Sequence, residues 1–137
     1  MLRQILAAGA LAGLAATASA QCSSLAATNN AGAVTLDMTG AGAMSFSFFL
    51  VGDTTGTTPI SIGNLGSVTL GLAAPFVPVP AGWTDMNGDV SLTFDLPATL
   101  PAGDYYAQGL SIGFNITPGT GVTFDLCESN VETITVN

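Results

Sequence analysis

The sequence predicts an all-β protein, an antiparallel sandwich of about eight short strands of immunoglobulin-like or Greek-key type. Apolar and polar residues alternate in several short runs, and residues 90–96 show the pattern most clearly. The chain is rich in turn formers, with 17 Gly and 7 Pro in 137 residues, and these residues separate the runs. No segment after residue 20 keeps a helical period for three turns.

The extended segments follow one another along a single domain, residues 21–137. Residues 21–32 are small and polar and are interpreted as a leader. Asn87-Gly88 predicts a hairpin turn, because both residues tolerate positive φ. Three prolines within residues 75–80 indicate an edge strand or a crossing between sheets, since proline lacks the ladder N–H. The predicted strands lie at residues 33–38, 44–51, 60–72, 76–79, 90–96, 104–114, 122–126 and 131–136.

The first twenty residues have the pattern of a secretory signal peptide. Arg3 precedes an apolar run rich in Ala and Leu, and residues 17–20 offer a small-residue cleavage site. We expect cleavage after Ala20 and export of residues 21–137. A membrane anchor and a lipid anchor at Cys22 are the alternatives, but the apolar run is short and Gln21 does not suit a lipidation site.

Charge excludes several classes of partner. The chain has one basic residue, Arg3, against nine Asp and Glu, and it has no His. Once the signal is removed, no cationic side chain remains to neutralise phosphate, which excludes nucleic acid and disfavours anionic membranes. We expect no membrane insertion after signal removal. A cell-surface protein or a glycan remains as a partner.

Two cysteines in an exported chain predict one disulfide, Cys22–Cys127. The bridge would tie the two ends of the domain together. A redox role is disfavoured because the chain has no C-x-x-C spacing.

Asp85, Asn87 and Asp89 are the candidate metal ligands. Oxygen ligands at alternate positions beside Gly88 resemble part of a calcium loop, although the full pattern with its distant Glu is absent. The competing interpretation is a turn in which these side chains serve the backbone. Trp83, with Tyr105 and Tyr106, is the candidate sugar-stacking group, and a core role for these rings is the alternative.

No catalytic residues are predicted. Without His or Lys, a serine nucleophile has no ordinary general base, and zinc and copper lose their commonest ligand. A pair of carboxylates on an exposed turn would both stay ionised, which does not suit a glycosidase. Asn115-Ile116-Thr117 matches a glycosylation sequon.

Three short stretches carry a resemblance to a known group. Residues 103–108, 85–92 and 134–137 resemble the small exported β-sandwich domains of planctomycete-type bacteria. The resemblance implies secretion and the sandwich fold, and it implies no site residues. The sequence therefore predicts a secreted, non-catalytic protein with a structural or interaction role at the cell envelope or outside the cell. A calcium-assisted carbohydrate-binding or adhesion module is the alternative.

Overall fold

The computed structural model describes residues 22–63 and 66–137, and the predicted signal peptide lies outside them. The described residues form nine strands and no α-helix, which confirms the predicted all-β class. The strands are β1 (Ser24–Asn30), β2 (Ala33–Thr39), β3 (Phe46–Gly52), β4 (Thr55–Ser61), β5 (Ser67–Leu72), β6 (Phe76–Trp83), β7 (Val90–Asp95), β8 (Gly103–Thr117) and β9 (Gly121–Val136).

The strands form three antiparallel sheets in a sandwich-like arrangement. The largest sheet has the order β6-β3-β8-β9, and we call it the central sheet. A three-stranded sheet, β1-β2-β7, supplies one cover, and the β4–β5 hairpin supplies the other. The central sheet is therefore the middle layer, and both of its faces need apolar side chains.

The main core lies between the central sheet and the β1-β2-β7 sheet. Alternation along β2 turns Val34, Leu36 and Met38 inward, and all three are fully buried. They lie in one cluster with Phe49 of β3. A Cβ on Gly109 of β8 would collide with the Met38 sulfur, so a larger residue there would displace this buried side chain.

A second, smaller core lies on the opposite face of the central sheet. Leu50 and Leu110 project from this face and contact the β4–β5 hairpin. The hairpin contributes Val68, Leu70 and Leu72, which are all buried. We call this side the outer face, and the hairpin covers only part of it.

The observed strands differ from the predicted ones at four places. The predicted segment 60–72 is wrong as a single strand, because its two ends belong to β4 and β5, which pair with each other. The hairpin predicted around Asn87-Gly88 is wrong, because β6 pairs with β3 while β7 pairs with β2 in another sheet. The turn therefore joins two sheets instead of two neighbouring strands. Residues predicted as a leader form β1, and the last two predicted segments are one continuous strand, β9. The proline-rich segment is β6, which lies at the edge of the central sheet as predicted.

The disulfide Cys22–Cys127 is present, as predicted, and it begins the seam between β1 and β9. Beyond it, the Asn130 side chain accepts a hydrogen bond from the Leu25 N–H at 2.7 Å and donates one to the Leu25 carbonyl at 3.1 Å. The Asn130 side chain thus satisfies the backbone N–H and carbonyl of Leu25, as a neighbouring strand would do at the edge of β1. The seam closes the sandwich along this side.

The disulfide is expected to supply much of the stability of the domain. It spans a sequence separation of 105 residues, and the chain-entropy model assigns a loop of that size on the order of 4–5 kcal/mol. Replacement of Cys22 and Cys127 by Ser should lower the urea midpoint followed by circular dichroism. Reductant should lower the wild-type midpoint to the same value and leave the Ser variant unchanged. Equal midpoints for the oxidised wild type and the Ser variant would contradict this.

Candidate binding surface

Five aromatic rings form a continuous row across the outer face of the central sheet. Phe46 stands edge-on to Phe48 on one side and to Trp83 on the other, with ring centroids 5.1 and 5.2 Å apart. Trp83 contacts Phe114 at 5.8 Å, and Phe114 contacts Phe124 at 5.3 Å. These rings come from all four strands of the sheet. We call the set, Phe46, Phe48, Trp83, Phe114 and Phe124, the aromatic row.

The aromatic row reaches the outer face through strand register. Phe46 lies opposite Trp83 on β6 and opposite Ile112 on β8, and Phe114 lies opposite Phe124 on β9. Directly opposed residues in a ladder share a face, so these side chains all project outward.

A bulge in β6 decides where Trp83 points. Phe48 pairs with Pro80 and Ser47 pairs with Gly82, so Ala81 is an extra residue between them. Ala81 packs against the main core. One extra residue reverses the alternation of the strand, and it moves Trp83 from the inner to the outer face.

None of the rings belongs to the cluster that the hairpin covers, and two of the five are exposed to solvent while the other three are half-buried. Trp83 is 57% exposed and Phe114 is 49% exposed. Ile116 and Val122, which oppose each other at the tip of β8 and β9, are 76% and 50% exposed. These neighbours extend the apolar surface past the rings. Contiguous exposed apolar groups of this kind mark interaction sites in soluble proteins.

The turn at residues 85–89 stands next to the row in sequence. The Asp85 carboxylate accepts hydrogen bonds from the backbone N–H groups of Asn87 at 2.8 Å and Asp89 at 3.0 Å. The Gly88 N–H donates to the Asp85 carbonyl at 3.0 Å. Hydrogen bonds from Asp89 and Asn87 lower the pKa of the Asp85 carboxyl below its usual value. Asp85 therefore serves as the cap of its own turn.

The turn is fixed against the loop that precedes β3. The Ala41 N–H donates to the Gly88 carbonyl at 2.9 Å, and the Gly40 N–H donates to the Asp89 carboxylate at 3.2 Å. Gly88 has φ of +83°, and a Cβ on it would lie 2.5 Å from the backbone nitrogen of Gly42. The buried Thr84 hydroxyl donates to the Gly42 carbonyl at 2.7 Å. These bonds hold the end of β6, and with it Trp83, in place.

Calcium binding at Asp85, Asn87 and Asp89 stays a prediction. The turn brings the three residues together, but one Asp85 oxygen already accepts two N–H groups. Asp85 and Asp89 also line a shallow depression of about 330 Å³ together with Asp37. Among residues 22–63 and 66–137, no three His, Cys, Asp or Glu side chains are arranged to hold a metal ion.

The predicted grouping of Trp83 with Tyr105 and Tyr106 is not observed. Tyr106 lies opposite Gly52, six residues along β3 from the Phe46 that faces Trp83. That separation is roughly 20 Å at the rise of an extended strand. Tyr105 packs on the main core, and Tyr106 packs beside the hairpin. The ring partners of Trp83 are phenylalanines instead, and the alternating phenylalanines of residues 46–48 were the signal in the sequence that could have indicated them.

Comparisons with known proteins identify no relative of this chain. The sequence matches no family model, and neither a curated protein nor a solved structure is similar to it. Within the part of the chain that the structure describes, no helix is long and apolar enough to cross a membrane. The function has to be argued from the surface itself.

The pH dependence of stability is expected to report the Asp85 turn. A carboxyl with a lowered folded-state pKa stabilises the fold above its ordinary pKa, near 4, and this stabilisation is lost as the pH falls through the folded value. Melting temperatures of the wild type and Asp85→Asn should differ most near neutral pH and converge in acid. Asp95→Asn, on β7, is the control for loss of one charge. A difference between wild type and Asp85→Asn that grows on acidification would show that the turn does not depend on the ionised carboxylate.

Proposed function

We propose that this chain is an exported, non-catalytic interaction protein whose aromatic row is its binding surface. It acts at the cell envelope or outside the cell. The observation that carries the proposal is the uncovered part of the outer face, where Trp83, Phe114, Ile116 and Val122 are about half exposed or more. A sheet that needs no partner would cover or break up such a surface.

The nature of the exposed groups supports a binding role. Trp and Phe concentrate contact energy at interfaces, since large rigid rings bury much area at a small cost in conformational entropy. The turn at residues 85–89 holds the end of β6 by several hydrogen bonds, so Trp83 is positioned before any partner arrives. A preorganised surface of this kind loses less entropy on binding than a mobile loop.

Different observations support the two other parts of the proposal, export and a non-catalytic role. The disulfide agrees with folding in an oxidising compartment. The predicted signal peptide at residues 1–20 would direct the chain to such a compartment. The sequence has no His or Lys to serve as a general base. The carboxylate of the Asp85 turn is engaged by backbone N–H groups, which suits a structural role.

Binding should be measured on the oxidised mature protein with cell-envelope material and with neutral polysaccharides. Trp83 is the sole Trp of the chain and lies in the row, so its fluorescence reports occupancy directly. We expect retention on one of these materials together with a change in Trp83 emission. Phe114→Ala, which keeps the reporter, should weaken binding about tenfold or more, as loss of an aromatic anchor does.

The matched control is Val77→Ala. Val77 is 62% exposed and belongs to β6, but it lies near the opposite end of that strand from Trp83. This variant should bind like the wild type, and circular dichroism should show that both variants are folded. Equal binding by Phe114→Ala and the wild type, or no binding to any of the materials, would contradict the proposal.

A further inference from the structure

We infer that the open edge of β9 at residues 121–125 is a strand-addition site for a basic segment of another protein. In that segment, apolar residues alternate with Lys or Arg. The inference rests on the proposed interaction role, and it names the chemistry of the partner. It combines three features of one short stretch: an unpaired strand edge, two faces of opposite character, and a carboxylate in a domain without basic side chains.

The edge is defined by the order of the central sheet. β9 is an outer strand of that sheet and pairs with β8 on one side only. The seam to β1 begins at Cys22, whose N–H donates to the Glu128 carbonyl, and it continues toward the C-terminus through Asn130. Residues 121–125 precede this seam. In the part of the chain that the structure describes, no strand pairs with their edge that faces away from β8, so this edge can accept a new strand.

Two other edges, those of β6 and β1, carry features that oppose strand addition. β6, at the far side of the central sheet, contains Pro78 and Pro80, which lack the donor that a new strand needs. The edge of β1 is occupied by the Asn130 side chain. Residues 121–125 of β9 contain neither proline nor Lys, two of the residues by which proteins protect such an edge, and their single charge is Asp125.

The two faces of residues 121–125 determine which residue types would alternate along an added strand. Val122 and Phe124 oppose Ile116 and Phe114, so they lie on the outer face at the end of the aromatic row. Thr123 and Asp125 lie on the other face. An added strand would place alternate residues beside Val122 and Phe124, and these should be apolar in order to continue the row. The residues between them would stand beside Thr123 and Asp125.

Charge identifies those intervening residues. Asp125 is exposed, and residues 22–137 contain no Lys, Arg or His that could pair with it. A cross-strand pair of opposite charges stabilises a sheet, whereas a carboxylate beside another carboxylate destabilises it. The excess of carboxylates over the whole domain also favours the approach of a cationic partner. A Lys or Arg on the added strand meets both conditions.

Charge also distinguishes a foreign partner from a second copy of this chain. After removal of the predicted signal, no strand of the protein can present a basic side chain to Asp125, because the single Lys or Arg of the chain is Arg3. Two copies would also repel each other through their like net charge. The segment that fits this edge therefore belongs to a different protein.

The test uses capped synthetic peptides that alternate Val with Lys, with Gln or with Glu. Each is added to the oxidised mature protein, and amide hydrogen exchange is measured by NMR residue by residue. The Val/Lys peptide should slow exchange at residues 121–125, and its affinity should fall as salt rises. The Val/Gln peptide should bind about two- to fivefold more weakly, as expected for loss of a cross-strand charge pair, and the Val/Glu peptide more weakly still.

Asp125→Asn should reduce the affinity for the Val/Lys peptide by a similar factor and leave that for the Val/Gln peptide unchanged. Asp95→Asn, an exposed carboxylate on β7, is the matched control and should change neither. Equal binding of the Lys and Gln peptides, protection outside residues 121–125, or no protection with any peptide would overturn the inference. Protection that rises with protein concentration and no peptide would indicate a second copy, and it would overturn the inference too.

Failure here and failure of the proposed function give different results. If the peptides do not protect residues 121–125 but Phe114→Ala still weakens envelope or glycan binding, the aromatic row is a binding surface and the β9 edge is not part of it. If neither experiment shows binding, the proposed function fails as well.

Discussion

The structure depends on one constraint, which is that the central sheet is apolar on both faces and must be covered twice. Phe49 of β3 is buried against β2, while its neighbour Leu50 is buried against the β4–β5 hairpin. Burial of a Leu or Phe side chain contributes about 1.5–3 kcal/mol, so both covers stabilise the fold. The three-stranded sheet covers the inner face, but the hairpin covers only part of the outer one. The aromatic row occupies the part that is left.

The position of the row follows from two local features. The bulge at Ala81 reverses the side-chain alternation of β6, and the turn at residues 85–89 then fixes the end of that strand against the loop before β3. Without the bulge, Trp83 would point toward the main core. On the far side, the disulfide and Asn130 close the seam between β1 and β9. The fold is therefore tied together away from the row, and the row is free to meet a partner.

Local patterns in the sequence predicted the strands and the disulfide well. Period-two alternation identified β2 and β7, whose apolar residues share one core face, and the two cysteines allowed only one pairing. Asn87-Gly88 predicted a turn correctly and its partners wrongly, because a tight turn specifies local backbone angles and not which strands pair. The pairing depends on residues far along the chain, such as Met38 with Val90 and Phe46 with Trp83. The complete aromatic row could not be found for the same reason, since the alternation of Phe46 and Phe48 indicates the rings of one strand and the other three rings come from three other strands.

The central claim is that the outer face is uncovered at the aromatic row, and the fluorescence of Trp83 in the free protein tests it most directly. Acrylamide is the suitable quencher, because it is neutral and the acidic chain does not repel it. At low protein concentration, we expect emission and acrylamide quenching between those of a buried Trp and those of the same protein unfolded in urea, since Trp83 is 57% exposed and contacts two rings. Blue-shifted emission that resists acrylamide would show that Trp83 is buried and would contradict the account.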